Sequence, residues 1–179
     1  CKTKIIICDI SEPTYEKLEE KRLRSKEEKI DVFVGIGGGS AIDMAKGLAV
    51  LYSNEGSAIS YRGFDNYKEP ILPIIAVPTT AGTGSEITPN ASFIDTTEKR
   101  KMGINGETLR PSYAILDPEL TLSCPKQPTV SAGVDSLVHA IEAYVAKKSN
   151  PMAKMFAKEG FKFVIENLPL VVNDLSNIQ

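Results

Sequence analysis

The stretch "IDVFVGIGGGSAIDMAKGLAVLYS", residues 30–53, changes its periodicity in the middle. Its opening, "IDVFVGI", is a short apolar run rich in β-branched residues and reads as a strand. Gly37, Gly38 and Gly39 then let the backbone turn sharply and approach a ligand closely. "AIDMAKGLAVLYS" follows as a helix, with Ile42, Ala45, Ala49 and Tyr52 spaced for one buried face. Ser40 is a natural N-cap, and Asp43 three residues on completes an S-x-x-D capping box. The first-turn N–H groups lie at the positive end of the helix, a ready anion site that suits a pyrophosphate. The run lacks the third glycine of GxGxxG and the Lys-Ser/Thr of a P-loop, so on motif grounds alone a structural tight turn accounts for it equally well.

The flanking segments repeat the strand-then-turn pattern. "KIIIC", residues 4–8, reads as a buried strand, and the charged run from Ser11 to Lys29 as an exposed helix broken near Arg24. "ILPIIAVP" (residues 71–78) is a strand, "ASFIDTTEKRKMGI" (91–104) two short strands around a polar turn, and "SYAILDP" (112–118) another strand. Strands alternating with helices predict an α/β fold with a Rossmann-like doubly wound parallel sheet. After Pro118 the pattern becomes helical, which places a domain boundary near residue 122. Residues 1–122 form the α/β domain, and residues 123–179 the start of an all-α domain.

Composition narrows the partners. The 179 residues carry 21 basic and 23 acidic side chains, a formal charge of -2, so no basic field exists to hold nucleic acid. Three cysteines without tight spacing give neither a disulfide framework nor a metal knuckle and fit a reduced, cytoplasmic protein. No apolar run approaches the roughly 20 residues that span a bilayer. The chain opens on Cys1 and runs directly into a strand-like segment, which reads as an internal piece of a longer protein.

Two further stretches carry chemistry. "PTTAGTGSE" sets Thr79, Thr80, Thr83 and Ser85 around Gly82 and Gly84, directly after a strand, where ligands collect in open α/β sheets. "EKRKMG" carries Lys99, Arg100 and Lys101, mostly a solvated hairpin tip, although one of them has the reach to meet a ribose or phosphate. "GVDSLVHAIEAY", residues 133–144, holds the single histidine. Asp135 and His139 stand four apart, side by side on a helix, at the edge of an apolar stripe of Val134, Val138, Ile141 and Val145. Carboxylate with imidazole suits Fe²⁺, Zn²⁺ and similar ions. A plain helix-surface Asp–His pair is the commoner meaning of an isolated D-x-x-x-H, since two ligands rarely make a site.

Taken in order, "GGGSAIDMAK", "PTTAGTGSE", "ILDPELT" and "GVDSLVHAIEAYV" resemble the iron-containing alcohol dehydrogenase family of the dehydroquinate synthase-like fold, from about residue 30 onward. The resemblance implies a Rossmann-like domain, a helical domain, and NAD or NADP bound between them. It implies a pyrophosphate site at Gly38, Gly39 and Ser40 with Asp43 behind. Thr79, Thr80 and Thr83, with Ser85 beside them, fall where cofactor contacts are expected, and Lys101 where a lysine reaches the ribose. Asp135 and His139 match the first two of four metal ligands, the ion being Fe²⁺ or Zn²⁺; two later histidines would lie beyond Gln179. The implied reaction is reversible hydride transfer between a small alcohol or aldehyde and the nicotinamide, in a homodimer. A glycerol dehydrogenase, maleylacetate reductase or dehydroquinate synthase type of enzyme on the same fold is the neighbouring reading. From another class, a non-catalytic nucleotide-binding fragment would keep the loops without the metal, and a chain lacking the later histidines is expected to be inactive alone.

Overall fold

The computed structural model describes residues 2–8, 12–26 and 29–177. By contacts the chain forms two compact units: Cys1–Pro78 with Ser85–Leu116, and Thr79–Gly84 with Asp117–Gln179. This division rests on packing, whereas the sequence boundary near 122 rests on a change of pattern.

The first unit is α/β. Strand β1 (Phe33–Gly37) runs into helix α2 (Gly39–Ser53), which returns the chain to strand β3 (Ile74–Pro78), parallel to β1 in the register Phe33↔Ile74 to Gly37↔Pro78. Strand β6 (Tyr113–Ala114) adds to the other side of β3, also in parallel, so this sheet has the order β1-β3-β6. The hairpin expected within 91–104 is present as β4 (Asn90–Asp95) and β5 (Arg100–Asn105), antiparallel. It belongs to a second sheet, with the short β2 (Gly63–Phe64) parallel to β5, rather than to the parallel sheet.

Helix α2 departs from its one-faced expectation: every residue from Ile42 to Leu51 is buried. Its neighbours explain this, for α2 packs against β1 and β3, against β4, and against helix α1 (Tyr15–Ser25). A helix wrapped on several sides has no solvent face, and its core partners include Leu18, Phe33, Ile74, Phe93 and Ile104. Close approach is set at Gly35, where a Cβ would stand 3.0 Å from the Ile42 Cα and 3.1 Å from the Ala45 Cβ. Where the helix ends, the buried Asn54 side chain donates to Val50 O and Glu69 O and accepts from the N–H groups of Lys68 and Glu69.

Helix α1 is not simply a solvated charge run. Tyr15, Leu18, Lys21 and Ser25 are buried along one side, and Thr14 caps the helix by accepting from Lys17 N at 3.2 Å. "KIIIC" is corrected more sharply. Residues 4–8 form no strand; Ile6 and Cys8 pack on the core while Ile5 and Ile7 are 82% and 77% exposed. A buried strand needs ladder partners, and no described strand pairs with this segment.

The β4–β5 turn is held by Asp95, whose side chain is buried. Its Oδ1 accepts from the N–H groups of Thr97 and Glu98, and its Oδ2 from the Arg62 guanidinium at 2.6 Å. The Glu98 N–H, then that of Thr97 and the Arg62 pair, hold the Asp95 carboxyl below its ordinary range against the opposing effect of burial. A carboxylate lowered in the folded state contributes stability above the ordinary Asp range, and that contribution is lost as pH falls through the lowered value. Acid unfolding of Asp95→Asn is therefore expected to be less steep than that of the parent below about pH 4; superimposable acid limbs would contradict the role.

The second unit contains helices α3 (Lys126–Val145) and α4 (Pro151–Asn173), as the helical pattern predicts. Asn150 caps α4 by accepting from Ala153 N at 2.8 Å, and α3 and α4 pack together. No described helix is long and apolar enough to cross a membrane.

Candidate functional site

The glycine turn places the start of α2 differently from the sequence reading. Gly37 has φ +143°, and a Cβ there would lie 2.8 Å from the Ala41 Cβ, so the reversal needs glycine. Gly38 is extended and is itself the N-cap, its carbonyl accepting from Ala41 N at 3.0 Å and Ile42 N at 3.3 Å. Ser40 is therefore inside the first turn, and the S-x-x-D capping box is not made. Starting the helix at Gly39 makes Asp43 its fifth residue, two positions beyond the third-residue place of a capping box. No side chain caps this helix start and no acidic residue occupies its first turn, which leaves its N–H groups suited to an anion.

Asp43 and Lys46 form a buried pair behind that turn. Asp43 Oδ2 accepts from Ser92 N at 2.9 Å, while Oδ1 has no hydrogen-bond partner among the described residues. Burial pushes the Asp43 carboxyl up, opposed by the Ser92 N–H, Lys46, and, more weakly, Ser85 and Lys101. Lys46 is completely buried, and its Nζ donates to Thr88 O and Asn90 O, each at 2.8 Å. Burial pulls its pKa down to about 8, with the Asp43 charge opposing. Sequence reasoning passed over Lys46; the available signal was a cation amid an otherwise apolar helix, three residues after Asp43. Ser85 is buried in the same unit, and Lys101 on β5 is half-exposed with its Nζ 3.3 Å from Glu12.

In the second unit, the loop 79–84 rests on α3. Gly82 has φ +150°, and a Cβ there would lie 2.0 Å from the Ala132 carbonyl oxygen. Thr79, Thr80 and Thr83 sit on this loop, and the buried Thr80 hydroxyl has no hydrogen-bond partner among the described residues. A buried hydroxyl without a partner costs free energy unless a ligand or water supplies one. Small residues make room: Ala132 and Gly133 are buried, and a Cβ at Gly133 would meet Leu168 of α4 at 2.4 Å.

Asp135 and His139 do come together further along α3. His139 Nε2 lies 3.7 Å from Asp135 Oδ1, and both side chains are about half exposed. Two ligands each about 2.1 Å from one ion stand at most about 4.2 Å apart, so the separation admits a shared ion, and the donor types fit Fe²⁺ or Zn²⁺. Among the described residues no third His, Cys, Asp or Glu joins them. The flanking stripe is not the buried face expected of it: Val134, Val138 and Ile141 are nearly half exposed and Val145 more so. Helix α4 meets α3 at Gly133 through Leu168.

A parallel α/β sheet with a glycine turn into an uncapped helix, followed by a helix bearing an Asp–His pair, sets the chain in the α/β class with a helical second unit. The chain belongs to the iron-containing alcohol dehydrogenase family: that family's model matches residues 3–118, and the model of the Fe-containing alcohol dehydrogenase C-terminal domain matches residues 129–179. Over 154 residues it is 42% identical to the NAD-dependent methanol dehydrogenase of Bacillus methanolicus, covering 86% of this chain and 40% of that protein. Its fold is similar to that of the alcohol dehydrogenase from Oenococcus oeni, at a TM-score of 0.88 and 31% identity over 94% of this chain and 44% of the other. It is also similar to sulfoacetaldehyde reductase from Bifidobacterium kashiwanohense in complex with NAD⁺, at a TM-score of 0.84 and 35% identity over 93% of this chain and 44% of the other. The chain thus spans about 40% of the length of the curated relatives it matches.

Proposed function

We propose that this chain is part of an NAD(P)-dependent, metal-dependent alcohol dehydrogenase that interconverts a small alcohol and its aldehyde. The observation that carries the reading is the carboxylate and imidazole 3.7 Å apart on α3, in a chain of this family. Asp135 and His139 would hold the divalent ion, Fe²⁺ in keeping with the family's description or Zn²⁺. When bound, the ion supplies Lewis acidity toward an alcohol oxygen and the nicotinamide accepts hydride.

The chain's own groups have separable tasks. The first-turn N–H groups of α2, around Gly38, Gly39 and Ser40, would hold the pyrophosphate. Thr79, Thr80 and Thr83, with Ser85, would offer hydroxyls to the cofactor, and Lys101 would reach its ribose. Asp43 would support this site from behind. A relative named for NAD and a neighbour solved with NAD⁺ support the cofactor. Relatives named for methanol and 1,3-propanediol support the substrate class. The near-neutral charge argues against a nucleic-acid partner and the cysteine spacing fits a cytoplasmic protein, while a homodimer is what the family resemblance implies.

The test is an NADH fluorescence titration of the chain and of Ser40→Asp. A carboxylate at the start of a helix favours the helix by about 0.3–1 kcal/mol, yet repels a pyrophosphate. Saturable binding that weakens about tenfold or more in Ser40→Asp, with folding stability kept, is expected; equal affinities would remove the phosphate site. In parallel, in a version of the chain extended to carry the two later histidines that the family resemblance implies, Co²⁺ absorption should report about one bound ion that His139→Ala abolishes. A spectrum unchanged by that substitution would make His139 structural.

A further inference from the structure

Between the glycine turn and the hairpin lies the pair that the proposed chemistry does not use directly. Lys46 and Asp43 both reach the backbone entering and beginning β4: the Lys46 Nζ donates to Thr88 O and Asn90 O, and Asp43 Oδ2 accepts from Ser92 N. These partners are 42 to 49 residues away in the chain, so the contacts join α2 to a separate supersecondary element. Helix α2 otherwise meets β4 through apolar packing, with a Cβ at Gly47 standing 2.6 Å from Phe93 Cζ. Apolar packing tolerates sliding; three polar bonds from one helix turn fix register.

We propose that Lys46 and Asp43 are positioning residues, a buried clamp that docks the β4–β5 hairpin on α2 and so holds Lys101 in place for a dinucleotide without either residue touching it. The last clause rests on the dinucleotide reading above; the clamp itself does not. Lys101 is on β5, antiparallel to β4 and paired with Ile94, and its charge is felt at Asp43. A hairpin fixed at Thr88, Asn90 and Ser92 therefore fixes the strand that carries Lys101. Burial of both charged groups fits a role played from inside rather than against a ligand.

The first measurement needs neither a variant nor a ligand. In the native chain, Lys46 should resist reductive methylation at least tenfold longer than the exposed lysines Lys68 and Lys147, and the Ser92 amide should exchange with deuterium at least a hundredfold more slowly than the turn amide of Thr96. Methylation of Lys46 at the surface rate, or an unprotected Ser92 amide, overturns the clamp. The second measurement uses Lys46→Met, which keeps volume and removes the donors, and Asp43→Asn, which keeps an oxygen for the Ser92 N–H. Lys46→Met should speed exchange across residues 90–95 about a hundredfold while amides of α4 are unchanged, and weaken NADH binding about tenfold. Asp43→Asn should retain the Ser92 protection. Faster hairpin exchange with undiminished NADH affinity overturns the positioning role and leaves the dinucleotide reading standing. Absence of NADH binding in the parent chain removes the dinucleotide reading and the positioning clause with it, while exchange and methylation still decide the clamp.

Discussion

Replacing Gly82 with alanine is expected to cost about 3–5 kcal/mol, or to lift the loop 79–84 off α3. Two independent costs coincide there. The backbone φ of +150° is one that side chains rarely adopt, and the added methyl would stand 2.0 Å from the Ala132 oxygen, 2.5 Å from its carbonyl carbon and 3.0 Å from its Cα. None of these atoms can swing aside, because all belong to the backbone of a helix near its middle. Urea unfolding followed by far-ultraviolet circular dichroism gives the magnitude, and proteolysis within 79–84 reports the loop. A loss under about 1 kcal/mol with the loop still protected would show that the close approach is not required.

Phe93→Ala should be comparably damaging, at about 3–5 kcal/mol. The ring is fully buried on β4, tilted 43° against Tyr15 with centroids 5.4 Å apart, and its tip fills the space over Gly47. Deleting it opens a cavity where α1, α2 and β4 converge, and a domain's whole stability is only about 5–15 kcal/mol. The fit with Gly47 supplies a sharper check. Gly47→Ala alone forces its methyl into the ring at 2.6 Å and against the Leu18 methyls at 2.9 and 3.0 Å, whereas Gly47→Ala with Phe93→Leu removes the ring contact and leaves only the flexible Leu18 end to shift. The double variant should be more stable than the sum of the single losses by about 1 kcal/mol or more. Strict additivity would mean that the two side chains do not share one space.

What could be read locally was legible in the sequence. The glycine turn between β1 and α2, the β4–β5 hairpin and the helices α3 and α4 follow from residue periodicity and turn chemistry, and the order of their motifs pointed to the family that the comparisons identify. Asp135 and His139 were placed together because four residues make one helical turn. The errors share a different cause: burial depends on what arrives from elsewhere in the chain. The Val134–Val145 stripe has the right spacing for a core but stays about half exposed or more, and "KIIIC" has strand composition but no described ladder partner. Ser40 has the composition of a cap, yet the extended Gly38 takes that position first. Lys46 and Asn54 were missed for the same reason, since their partners at Thr88, Asn90 and Glu69 cannot be seen from either residue's own neighbourhood.

The enclosure of α2 has a consequence for how such a chain can drift over generations. From Ile42 to Leu51 there is no position at which a change of size or charge meets only water. Loss of Lys46 strands two carbonyls, and loss of Asp43 strands an amide. Growth at Gly47 collides with Phe93. Viable change along this helix must therefore come as matched replacements in two or more elements at once, so lineages should inherit α2 as a block while the exposed residues of α1 and the β4–β5 turn vary one at a time.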